Sequence, residues 1–213
     1  MSRLTRRERR AVRRVPRKEV LDTWLAHEWE KTERGDPAAL SESEALDALL
    51  TEKPGAAAFF WRDTPVSCYR LTLSRARFDE LHAVPGPDDL GWRALSPSGL
   101  IRECARRIAR GDPDELARET GIDIHAIERL ARDFPTPPEP LVLSTSRGKV
   151  PWHVADGNHR AVATALALRR GRSYEPVPVY LCVGANPVLK PLGERLCGLL
   201  GRYHRRRGIS KTQ

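Results

Sequence analysis

The chain has 213 residues, 40% of them hydrophobic and 31% charged, with a formal net charge of +9. That mixture is long and apolar enough to bury a core, which excludes a wholly disordered chain. No apolar run approaches the ~20 residues of a membrane span, and the basic start lacks the apolar stretch and cleavage site of a secretory signal. A cytoplasmic protein with no membrane partner is therefore expected.

Arginine crowds both ends. MSRLTRRERRAVRRVPRK opens the chain with a single acid, Glu8, and GRYHRRRGISKTQ closes it with the same bias. Such ends attract DNA or RNA without reading its sequence, and they equally suit solvated tails. Residues 17–32 place Val20, Leu21, Trp24, Leu25 and Trp29 at helical spacing. A second helix is predicted over 41–52, where Ser41 and Glu44 have the spacing of a capping box. Phe59, Phe60 and Trp61 lead to VSCYRLTLS (66–74), which alternates as a strand does. SRARFDELHAV (74–84) reads as a short helix opened by Ser74, and PGPDDLGWRALSP (85–97) as a Pro/Gly loop.

PSGLIRECARRIAR (97–110) spaces Leu100, Ile101, Cys104 and Ile108 along one helix face. In the following 112–134 two amphipathic segments flank Gly121. That is helix-turn-helix spacing, and also the pattern of any packed αα-corner. Its second helix exposes His125, Glu128, Arg129 and Arg132. Arg129 and Arg132 are the candidate nucleic-acid contacts, while Asp123 and Glu128 would repel phosphates. PTPPEP (135–140) is a stiff linker. Strands are then predicted at 141–145, 150–155 and 177–183, with Pro178 putting the last one's start at a sheet edge or strand end. An Ala-rich helix closed by Gly171 lies between the last two, and a final helix over 189–206. Cys68, Cys104, Cys182 and Cys197 form no CxxC pair, so neither zinc nor a disulfide framework is indicated, and they read as small buried hydrophobes.

The densest chemistry is DGNHR at 156–160, where a strand gives way to a helix. Free N–H groups and the positive dipole end of that helix favour an anion. Gly157 lets a phosphate approach the backbone, the Asn158 and His159 backbone and Arg160 offer donors, and His159 can act as acid or base. Asp156 suits Mg²⁺, a ribose or attacking hydroxyl, or the task of orienting Arg160. The plain alternative is that Asp156 or Asn158 caps the helix and Asp156 pairs with Arg160. His153, on the strand, reads as a packed histidine.

ADGNHRAVATALALRRG followed by VPVYLCV resembles the ParB/sulfiredoxin-like superfamily, with YRLTLS (69–74) as its earlier strand and SPSGLIRE (96–103) as an intervening helix. The resemblance covers roughly residues 66–184, and only the DGNHR corner is sharp. It implies an α/β domain of mixed sheet whose corner holds nucleotide phosphates. Members include partition proteins that bind and hydrolyse CTP, ATP-dependent sulfiredoxins and a free serine kinase. Asn158 stands where sulfiredoxins have their cysteine, and Asn158 and His159 replace the Glu and first Arg of the partition proteins. In the partition proteins the helix-turn-helix follows the nucleotide domain, whereas here the candidate precedes the corner. Asp156, Gly157 and Arg160 match the kinase's Asp-Gly-His-Thr-Arg. HVADGNHR also shares Asp-Gly-Asn and Arg with Fic-type nucleotidyl transferases, but His153 is one residue too close and His159 replaces a loop glycine.

The expectation is an α/β (α+β) protein in three segments. Residues 1–60 are a basic tail and helical extension, 61–185 the ParB/sulfiredoxin-like domain with a helical insertion at 97–134, and 186–213 a C-terminal helix and tail. Its function would be nucleotide binding, of ATP or CTP with Mg²⁺ on Asp156. Phosphoryl transfer or nucleotide hydrolysis would use Asp156 and His159. Gly157, Asn158, His159 and Arg160 would hold the phosphates. The rival is a non-catalytic DNA- or RNA-binding regulator.

Overall fold

The computed structural model describes residues 12–30, 34–59, 66–85, 91–133, 138–146 and 151–184. Among them, five strands make one mixed sheet: β1 (Arg13–Val15), β2 (Val66–Leu73), β3 (Leu141–Ser146), β4 (His153–Asp156) and β5 (Val177–Gly184). Their order is β1-β2-β5-β3-β4, antiparallel throughout except for the parallel β3–β5 pair. The α/β fold class expected from the sequence is what the chain adopts.

Period-2 alternation on the inner strands divides the core into two clusters. Val177, Val179 and Leu181 of β5 pack on one side with Leu71, Leu73, Leu141 and Leu143. Tyr180 and Cys182 face the other, with Cys68 and Val142. The second face is covered by α1 (Arg17–Trp29) and α2 (Glu42–Glu52), which contribute Val20, Leu21, Trp24, Leu25, Leu46 and Leu49. The predicted capping box starts α2: Ser41 N–H donates to Glu44 Oε2 at 2.8 Å, and Glu44 N–H to Ser41 Oγ at 3.3 Å. On the first face lie α3 (Arg75–Phe78), α4 (Gly91–Leu95), α5 (Ile101–Ile108), α6 (Pro113–Thr120), α7 (Ile124–Arg132) and α8 (Asn158–Arg169). Helix α8 runs between α5 and α7. It is buried from Ala161 to Ala167, and small residues let both neighbours and the sheet approach it.

Several local expectations change. The helix predicted over 74–84 is only the single turn of α3. Beyond it His82 bridges to Leu100 and to His153, so its backbone extends the sheet edge. Part of the 85–97 loop is α4. Strand β5 is central, so Pro178 sits not at an edge but at a strand end, as its second residue. Cys68 and Cys182 face each other with Cα atoms 4.2 Å apart, the spacing of a non-hydrogen-bonded antiparallel pair. Thr72–Pro178 lies four residues along the same ladder and is of the same kind, while pairing with β3 starts only at Val179. No neighbour therefore asks Pro178 for an N–H. Cys68 and Cys182 are also joined as a disulfide, which sequence spacing alone did not indicate, because their registry arises from pairing strands 114 residues apart. Among the described residues Cys104 is the free thiol; it is buried, and desolvation pushes its pKa up to about 12. Phe60, Trp61, Cys197, most of the arginine-rich start and all of the basic end, including the helix predicted over 189–206, lie outside the described residues.

Candidate functional site

The corner is built by a β-bulge. Val142 pairs with Asp156 and Leu143 with Val154, so Ala155 is an extra residue on β4. Strict alternation would send Asp156 to the side of Val154, among α5–α8. The bulge instead sets it opposite Val142, on the sheet face that α1 covers, and bulges commonly re-aim a side chain in this way. Gly157 follows with φ +87°, the left-handed region, and is the N-cap of α8. No side chain caps α8, so neither Asp156 nor Asn158 plays the cap of the plain sequence reading.

Each corner residue has a distinct task. Arg160 folds back over Gly157: a Cβ there would come within 3.1 Å of its guanidinium and 2.6 Å of Leu141 Cδ2. The space that glycine was expected to leave for a phosphate is thus occupied by Arg160. Arg160 Nη2 donates to Asp156 Oδ2 at 2.8 Å, and Nη1 to Glu139 Oε2 at 2.5 Å. The Asn158 side chain is a staple: Val84 N–H donates to its Oδ1 at 3.0 Å, and its Nδ2 donates to the Val154 carbonyl at 3.1 Å. His159 meets Trp92 edge to face, with centroids 5.1 Å apart. His153 Nδ1 lies 3.1 Å from the Ala83 carbonyl, as befits a packed histidine.

Two partners of Arg160 were not legible as site residues. His27, from the last turn of α1, brings its ring nitrogens 3.3–3.5 Å from the guanidinium, with Nδ1 3.8 Å from Asp156 Oδ2 and Nε2 3.9 Å from Glu139 Oε2. Glu139 belongs to the PTPPEP stretch read as a linker. An acid fixed between prolines immediately before a buried strand was the available signal. Burial pushes the Asp156 pKa up, but His27, Arg160 and Lys53 together outweigh it and hold the carboxyl below its ordinary value of 3.8.

These groups floor a cleft of about 680 Å³. Helix α1 and Lys53 form one wall, α7 and Trp92 the other, with Phe59 at the side. Among the described lining residues the fixed positive charges are Lys53 and Arg160, and both are ion-paired, Lys53 with Glu28 at 3.0 Å. Glu139 is the most exposed acid on Arg160, at 51% against 12% for Asp156, and so is the partner an incoming anion would displace.

A Mg²⁺ ion held by Asp156 fits this donor set poorly. The carboxylate is already gripped by one cation, and the described residues contain no group of three His, Cys, Asp or Glu side chains able to share a metal. Of the roles open to Asp156, its geometry displays the orienting of Arg160. Along α7, Arg129 is exposed and 3.9 Å from Asp123, Arg132 is exposed, and Glu128 pairs at 2.9 Å with Arg170, the residue that ends α8. The inner face of that hairpin packs Leu116, Ile124, Ile127 and Ala131 into the core. Comparison of the chain with protein-family models, with curated proteins and with solved structures finds no match in any of the three.

Proposed function

We propose that the cleft binds the phosphates of a nucleotide, ATP or CTP, and that the chain is a phosphotransferase or nucleotide hydrolase of the ParB/sulfiredoxin-like kind. The observation that carries this reading is a convergence. A twelve-residue helix with no side-chain cap begins at a large cleft that its first residues line, next to an arginine held by two carboxylates. The N–H groups and the helix dipole suit a phosphate, and Arg160 can turn from Glu139 to a phosphate oxygen while Asp156 keeps it in place. Trp92 and Phe59 on the walls offer faces against which a base can stack. Phosphoryl transfer asks mainly for positioning and charge neutralisation, and these the corner supplies.

Calorimetric titration with ATP, ADP, CTP and GTP, each with and without Mg²⁺, tests the reading. Saturable binding of a triphosphate that Arg160→Ala weakens at least about tenfold, a loss of ~1.4 kcal/mol, is the expected result. Absence of binding by all four would end it.

A further inference from the structure

Resting on that reading, we propose that His27 is the proton acceptor of the site. It would take the proton of the water or hydroxyl that attacks the terminal phosphoryl group. Arg160 Nη1 lies 3.4 Å from Nδ1 and 3.3 Å from Nε2 of His27, so the guanidinium rests against the imidazole ring at the cleft. When Arg160 turns to a phosphate, the His27 ring, which lines the cleft, is left beside that phosphate.

The surroundings suit the charge that would then form. Asp156 Oδ2 lies 3.8 Å from Nδ1 and Glu139 Oε2 3.9 Å from Nε2, so the imidazolium would sit between two carboxylates. The charged groups facing His27 are Asp156 from β4, Arg160 from α8, Glu139 from the segment before β3 and Lys53 after α2. Glu28 and Glu30 follow it in the chain and line the same cleft, with Asp123 across it. The ring is 22% exposed, open enough to meet a substrate and enclosed enough to be held. His159, the histidine legible from the sequence, instead sets its ring against Trp92.

The step balances without any further reagent. The O–H bond of the attacking group breaks and its proton passes to His27 as the new P–O bond forms. The P–O bond to the nucleoside diphosphate breaks, and its electron pair stays on the diphosphate oxygen. In hydrolysis the proton then leaves His27 to solvent.

The test uses the full chain with ATP and CTP in Mg²⁺ buffer, water as acceptor, and inorganic phosphate release as readout. Affinity is measured in parallel by calorimetry. His27→Gln is expected to bind nucleotide within about threefold of the parent and to lose about 10²–10⁴-fold in kcat, the usual worth of general base catalysis. The parent's kcat should fall on the acid side as the imidazole takes up a proton, and that limb should vanish in the variant. A parent that binds no nucleotide defeats the nucleotide reading itself. A parent that binds but releases no phosphate, or a His27→Gln protein with full kcat, overturns the role of His27 and leaves the binding reading standing. Should His27→Gln fail to fold, the parent's pH profile decides alone, and a rate flat from pH 5 to 8 overturns the proposal (the window in which histidine titrates).

Discussion

DGNHR at 156–160 and DIHAIERLAR at 123–132 are similarly rich in polar letters, and the fold treats them in opposite ways. At the corner the chemistry turns inward. The Asp156 and Arg160 side chains are 12% and 19% exposed, and they meet each other, His27 and Glu139 at the floor of one cleft. On α7 it turns outward, with Arg129 59% exposed and His125 paired to Asp114 in solvent, while the apolar face locks into the core. Exposed pairs of the second kind contribute little and reorganise freely, whereas enclosed charges must be matched in place. What separates a candidate site from a charged surface here is convergence, not composition.

Substitutions can break or sharpen that contrast. Gly157→Ala should do most damage, since it combines a left-handed φ with a Cβ 2.6 Å from Leu141. A loss of about 2–4 kcal/mol is expected from the two effects, read as a lowered urea midpoint, together with loss of nucleotide binding. A stable Gly157→Ala protein that still binds nucleotide would show that the corner tolerates a different shape.

Arg160→Ala comes next, with about 2–3 kcal/mol lost at neutral pH because Asp156 remains enclosed without its guanidinium. The folded pKa of Asp156 lies below its ordinary value of 3.8. Its contribution to stability is therefore complete above that value and is lost as the pH falls through the lower folded value. Urea midpoints measured from neutral to acid pH should fall less steeply in Arg160→Ala than in the parent.

Asn158→Ala separates scaffold from ligand contact within the corner. Removing the staple between Val84 and Val154 should cost about 1–2 kcal/mol while leaving the nucleotide Kd within a few fold. A large rise in Kd would mean that the amide itself meets the ligand. The double variant Arg129→Ala, Arg132→Ala should matter least, within about 0.5 kcal/mol of the parent in stability and unchanged in nucleotide binding. If that variant instead lost affinity for a duplex DNA probe with a shallower salt dependence, the hairpin would count as a second site after all.

Much of this was readable one segment at a time. The apolar spacing of α1, the capping box of α2, the strand-to-helix turn at Gly157 and the closing Gly171 all depend on interactions within a few residues, and they fold where the pattern put them. The turn of α3 was overread because SRARFDELHAV has helical letters, yet the backbone at His82 pairs with the sheet edge. The loop holding α4 was underread because its prolines and glycines flank or open a helix of only five residues, Gly91–Leu95.

The sequence by itself determined that residues 156–160 would be a polar strand-to-helix corner with an arginine on its first turn, since all of that is local geometry. Only the tertiary structure decided what the corner holds. Glu139 and His27 lie 21 and 133 residues from Arg160 along the chain, and no local pattern links them to it. They arrive because β3 runs parallel to β5 and α1 packs on the face to which the Ala155 bulge turns Asp156. Burial then requires that the charges meeting there be matched.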